Sequence, residues 1–135
     1  MRPQYSRRKV FALAITVVIS SCSSATAPLR LVQSDRPEPS GMEALLRGTL
    51  TADANGCVQV KADTSTVTPV WPRGYSVRGD AGSFEILDAT NAVVARSGLV
   101  LTIRGGSADP VGDAWTERGC ISAGAPWLVG GVRPA

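Results

Sequence analysis

From Leu46 onward, apolar and polar residues alternate in short runs, and each run ends in turn-forming residues. A period of two lines the two faces of a strand with different side chains, whereas a helix would need a period near 3.6. The run "LRGTLTA" (residues 46–52) sets Leu46, Gly48, Leu50 and Ala52 against Arg47, Thr49 and Thr51. "DANG" follows, and Asn55-Gly56 is a favoured hairpin turn because both residues tolerate positive φ. "CVQVKA" (57–62) then sets Val58, Val60 and Ala62 against Cys57, Gln59 and Lys61.

The same reading continues along the chain. "TVTPVW" (66–71) is β-branched, but Pro69 cannot donate to a ladder and is expected at an edge, a bulge or a strand start. Residues 84–87 and 92–96 form a second predicted hairpin across "DATN"; Ser97-Gly98 turns the chain into 99–104, and Gly105-Gly106 opens a long loop. The last predicted strand covers 126–132. No segment carries a convincing helical period, although "ADPVGDAWTE" has room for one turn near Trp115. The expectation is an all-β fold of about five to seven short strands: a small OB-like or partly open barrel, with a β-sandwich as the alternative.

Charge narrows the function. The chain carries +3 overall, but Arg2, Arg7, Arg8 and Lys9 precede the first apolar run. From Cys22 onward ten Arg and Lys face eleven Asp and Glu, a net charge of −1. A nucleic-acid binder concentrates basic charge on its folded part, so nucleic acid is not an expected partner. The chain has no histidine, which removes the commonest general base and the commonest transition-metal ligand. A Ser-His-Asp set is excluded, "RGGSAD" lacks the spacing and the lysine of a phosphate loop, and no cofactor is implied. A hydrolase using paired carboxylates stays open as the lesser alternative to a non-enzymatic role.

The start of the chain reads as an export signal. Residues 1–9 are basic and polar, residues 10–19 ("VFALAITVVI") are apolar in nine of ten positions, and Ser20, Ser21, Cys22, Ser23 and Ser24 follow. A membrane-spanning anchor needs about twenty apolar residues, so that reading is the weaker one. "ISSC" (19–22) resembles the lipobox of bacterial lipoproteins: an aliphatic residue, two small residues, then cysteine. The resemblance implies cleavage between Ser21 and Cys22 and diacylglycerol on the Cys22 sulfur. It implies an extracytoplasmic protein held to the membrane by lipid. One acyl chain binds marginally at about 0.8 kcal/mol per methylene, while two or three make a durable anchor. The alternative is a secreted protein cut after "ATA" (25–27). "SRRKVF" (6–11) is also similar to a twin-arginine signal, with an ordinary basic start as the preferred reading. Residues 1–21 are thus the leader. Residues 22–43, with Pro28, Pro37, Pro39 and Gly41, are expected to be a flexible tether reaching about 25 Å. Residues 44–135 are the domain.

If Cys22 carries lipid, Cys57 and Cys120 are the two thiols left, in a compartment where disulfides persist. A Cys57–Cys120 bridge is therefore expected. Two cysteines without histidine do not complete a usual zinc shell, and no metal site is assigned.

"VWPRGYSVRGD" (70–80) is the most distinctive internal stretch. As a binding surface, Trp71 and Tyr75 would form a platform for a sugar or peptide with Arg73 beside them. The competing and preferred reading puts Trp71 in the core, gives Gly74 an unusual φ and leaves Tyr75 as a cap. "RGD" (78–80) is a three-residue match and is discounted. Asp109, Asp113 and Glu117 share one loop at spacing four, but without the dense Asp/Asn pattern of calcium loops, and pairing of this loop with Arg118 is the expectation. The mature part resembles small uncharacterised bacterial lipoprotein domains in Gly56-Cys57, 70–76, 93–98, Gly105-Gly106 and Cys120; that resemblance implies no activity. The functional expectation is an envelope lipoprotein that binds or scaffolds, with cell-wall glycan or an envelope protein as partner. The alternative is a carrier of a small ligand or cation at the 105–119 loop or the Trp71–Tyr75 surface.

Overall fold

The computed structural model describes residues 15–17, 27–39, 41–108 and 111–135, with the side chains of 122 and 123 excepted. Cys22 and nearly all of the leader lie outside the described residues, as does Asp109.

The fold is all-β, as expected. Among the described residues there are eight strands: β1 (Ala44–Ala52), β2 (Val58–Lys61), β3 (Thr66–Val70), β4 (Ser76–Asp80), β5 (Ser83–Leu87), β6 (Val93–Arg96), β7 (Val100–Ser107) and β8 (Ala125–Pro134). A 3-10 helix, Arg118–Ala123, precedes β8. The larger sheet is ring-like, its pairings running β1-β2-β3-β8-β7 and returning to β1; β4, β5 and β6 form a separate three-stranded meander. All pairs in the ring are antiparallel except β3 with β8.

The alternation read from the sequence is the alternation of burial in β1 and β7, whereas around β2 Cys57 and Gln59, read as the polar face, are buried as well. Leu50, Val58, Val60, Leu101, Ile103 and Val129 point into the ring, and Phe84, Ile86 and Ala95 of the meander join the same hydrophobic cluster. Both sheets therefore share one core, and the meander closes it. The β1–β2 turn forms where "DANG" predicts it. Gly56 takes φ 81, and the Asp53 carboxylate accepts from the backbone N–H groups of Asn55 and Cys57, both at 2.9 Å. The second hairpin turns at Asp88, with Asn91 at φ 64. The Asp88 side chain accepts from the Thr90 hydroxyl at 2.7 Å and from the Ala92 N–H at 3.0 Å. The Thr90 bond, then that of Ala92, holds its carboxyl below the usual carboxylate range.

Three expectations need correction. First, there are eight strands among the described residues where about five to seven were expected, because β4 does not stand out in the sequence. "SVRGD" carries two charges and a glycine and is mostly exposed; it holds to β5 through backbone pairing at the outer edge of the meander. Second, Gly105-Gly106 does not open a loop. β7 runs on through Ser107 past a bulge at Arg104/Gly105, and a Cβ on Gly105 would run into the Leu128 carbonyl. Both glycines are buried within the strand, where Gly105 lets two backbones approach.

Third, much of the expected tether over 22–43 is part of the domain. The Arg30 N–H donates to the Gly56 carbonyl (2.7 Å) and the Val58 N–H to the Arg30 carbonyl (3.1 Å). The Trp71 N–H donates to Val32 (2.8 Å) and the Ser34 N–H to Trp71 (2.9 Å). Leu31 packs in the main core, and Val32 packs beside Cys57, Val70 and Cys120. Residues 30–36 thus form a strap joining the start of β2 to the end of β3. The β2–β3 ladder covers only Val60, Lys61, Thr66 and Val67, so Pro69 sits where that ladder has already ended, as its missing N–H requires.

Candidate functional site

The Cys57–Cys120 disulfide is present, with Cα atoms 5.5 Å apart. It fixes the 3-10 helix against the outer side of β3, where the buried Thr68 hydroxyl donates to the Cys120 carbonyl at 3.2 Å. The loop ahead of that helix is tied to the strap. The Thr116 N–H donates to the Gln33 carbonyl (3.0 Å), the Gln33 N–H donates to the Thr116 hydroxyl (3.2 Å), and Arg30 pairs with Glu117 at 2.7 Å. Trp115 packs half-buried on the cluster around the disulfide.

Strap and loop then part to leave a groove of about 850 Å³ between residues 34–39 on one side and 112–115 on the other, with Leu128 at its base. Its lining mixes an indole and three prolyl and leucyl side chains with Ser34, Asp35, Arg36, Glu38 and Asp113. Apolar walls with a few polar groups are the ordinary makeup of a ligand site. Trp115 is the residue that sequence reading left unassigned, because a lone tryptophan in a loop without a period has no face until the strap is placed beside it.

A second hollow of about 370 Å³ lies across the strap, lined by Pro37, Glu38, Pro72, Arg73, Tyr75 and the 88–90 turn. Two of the three residues of the candidate binding surface, Arg73 and Tyr75, meet here. The third does not: Trp71 is 0% exposed, and it lies under Tyr75 with ring centroids 5.9 Å apart. The platform reading is therefore set aside, and the preferred one stands: a core tryptophan capped by a half-buried tyrosine, with Gly74 at φ 89 turning the chain between them. The Tyr75 hydroxyl donates to the Glu38 carboxylate at 2.6 Å. Burial first, and then this bond, raise its pKa well above the usual tyrosine range. Gln33 donates to the Tyr75 carbonyl, so one end of this residue is bonded to the strap and the other to Glu38 just beyond it.

Of the acidic loop, Asp113 and Glu117 lie among the described residues. Asp113 lies 3.7 Å from Arg118, the pairing expected, and Glu117 is engaged by Arg30. Among the described residues no group of three His, Cys, Asp or Glu is placed to hold a metal ion. No helix among them is long and apolar enough to cross a membrane. No protein-family model matches the chain, and no curated protein or solved structure matches it.

Proposed function

We propose that this protein is a lipid-anchored binding module of the cell envelope, held at the extracytoplasmic face of the membrane through Cys22. In this reading it presents the groove beside Trp115 to a glycan or an extended peptide of an envelope partner. One observation carries the reading: Cys57 and Cys120 are joined, which leaves Cys22 as the remaining cysteine of the three. That cysteine stands where a basic, apolar and small-residue leader ends, and a disulfide of this kind persists outside the cytoplasm. The groove supports the binding half of the proposal. An indole flank suits stacking on a sugar ring or an apolar side chain, and the polar groups of 34–38 and 113 suit hydroxyls or backbone amides.

Labelled palmitate fed to cells making the full chain tests the anchor. Label is expected on the protein in the membrane fraction and absent from Cys22→Ala. Undiminished label in that variant would remove the anchor from the proposal, and an unlabelled parent protein recovered from the medium would replace it with a secreted one.

A further inference from the structure

The outer surface of the ring is divided. Over β3 it is covered by the disulfide-clamped helix; over β1, β7, the Lys61 end of β2 and the end of β8 it is open. Strand register builds three cross-strand rows there. Lys61 faces Thr49, which faces Val100; Arg47 faces Thr102, which faces Arg133; Leu45 faces Arg104, which faces Gly131. The guanidinium of Arg104 lies over Gly131, within about 4 Å of where a Cβ would stand. All four cations are exposed. The ion pairs among the described residues are all made by other arginines. Glu43, the acid bordering Leu45 in sequence, belongs to none of them. A chain whose exported part has a net charge of −1 thus gathers four unpaired cations on one sheet face. Leu45 (60% exposed) and Val100 (45%) lie among them, with Leu99 (50%) at the adjoining turn. A hollow of about 300 Å³ opens between Leu45, Thr102, Arg104 and Arg133.

We infer that this face docks on an anionic phospholipid surface. Three observations select that occupant. Four cations gather there against one bordering acid, Glu43, and none of the four belongs to an ion pair among the described residues, which suits anionic headgroups. Exposed aliphatic side chains interleave the cations, as at surfaces that settle into the headgroup boundary. Finally, the described segment that leads into the domain starts at Ala27 beside the β1–β2 turn, where the Pro28 carbonyl lies against Gly56. Only residues 23–26 separate Ala27 from Cys22, and the five steps between the two span at most roughly 18 Å. The inference rests, for this last point, on Cys22 being the anchor. So short a link keeps the β1 side of the domain within reach of headgroups, and none of the residues on the basic face lines the Trp115 groove.

Sedimentation with vesicles tests the docking separately from the anchor. The full chain carrying Cys22→Ala, which cannot be acylated there, is mixed with phosphatidylglycerol–phosphatidylcholine vesicles and with pure phosphatidylcholine vesicles. The leader's own charges are common to every protein compared. Arg47→Gln/Arg104→Gln/Arg133→Gln is expected to weaken binding to the anionic vesicles on the order of 100-fold, since each cation near such a surface contributes about fivefold. Arg78→Gln/Arg96→Gln/Arg118→Gln, with the same net charge and outside both the basic face and the Trp115 groove, is expected to leave binding near the parent value. Added salt should weaken the parent more than the face variant. If the triple variant does not fold, Lys61→Gln/Arg133→Gln replaces it, with a loss of roughly 25-fold expected. Equal losses for the two sets, no loss for the face set, or equal binding to neutral vesicles would each overturn the inference. So would loss of binding to soluble heparin with vesicle binding unchanged, since that would assign the face to a soluble polyanion.

Discussion

Replacing both bridged cysteines, Cys57→Ala/Cys120→Ala, is expected to lower the thermal midpoint by roughly 15–30 °C. The bridge closes a separation of 63 residues, and constraining a loop of that length in the unfolded chain contributes about 4 kcal/mol. A domain of near a hundred residues loses about 4–8 °C per kcal/mol. The loss is global because of what the bridge holds. Cys57 opens the first strand after the β1–β2 turn, and Cys120 sits in a short 3-10 helix, an element with little hold of its own. Together with Val32 and Val70 they form the second hydrophobic cluster, against which Trp115, Ile121 and Leu128 pack. Without the bridge the 3-10 helix depends on the Thr68 hydroxyl bond and apolar contacts. Calorimetry of the two proteins reads the shift, and a midpoint within about 5 °C of the parent would show that the bridge is dispensable.

Trp71→Ala is expected to cost about 3–5 kcal/mol of stability, the usual range for truncating a large buried aromatic. Trp71 is 0% exposed and is the largest of the fully buried side chains. It stands where β3, the strap and the meander meet, bonded through its backbone to Val32 and Ser34 and covered by Tyr75. Its indole N–H has no hydrogen-bond partner among the described residues, so Trp71→Phe surrenders volume without orphaning an acceptor and should cost less. Urea unfolding of the three proteins measures both. If Trp71 were instead an exposed binding platform, Trp71→Ala would unfold at the parent urea midpoint.

These expectations show which parts of the fold were legible and which were not. Strands β1, β5 and β7 announce themselves because each has one buried and one less buried face, and the period of two follows directly; β2 alternates in sequence although Gln59 is buried with Val58 and Val60. The β1–β2 turn was legible for a local reason: Asp53 and Gly56 satisfy their own backbone. The strap was not legible. Its hold depends on Leu31 and Val32, which enter two different clusters on opposite sides of the chain, and two residues are too few for a period to emerge among prolines and charges. β4 was hidden because an edge strand can be polar on both faces. The Gly105-Gly106 pair reads as a loop in isolation; the Leu128 backbone that requires glycine at 105 is 23 residues away in sequence.

The candidate site divides in the same way. The Cys57–Cys120 pairing was within reach once Cys22 was set aside, because two thiols leave one partner choice. The groove was not, since its two walls, 34–39 and 112–115, come from segments read as tether and loop. Of the two readings of the Trp71–Tyr75 pair, the core tryptophan under a tyrosine cap matches the structure and the exposed platform does not.

The most direct measurement counts thiols on the full-length gene product purified from membranes. Denatured without reductant and treated with an alkylating reagent, the protein is expected to gain no label; after reduction it is expected to gain two, on Cys57 and Cys120, with the chain beginning at a Cys22 that carries diacylglycerol. A third label at Cys22, or a free Cys57 or Cys120 before reduction, would contradict a lipid-anchored domain clamped by a single disulfide.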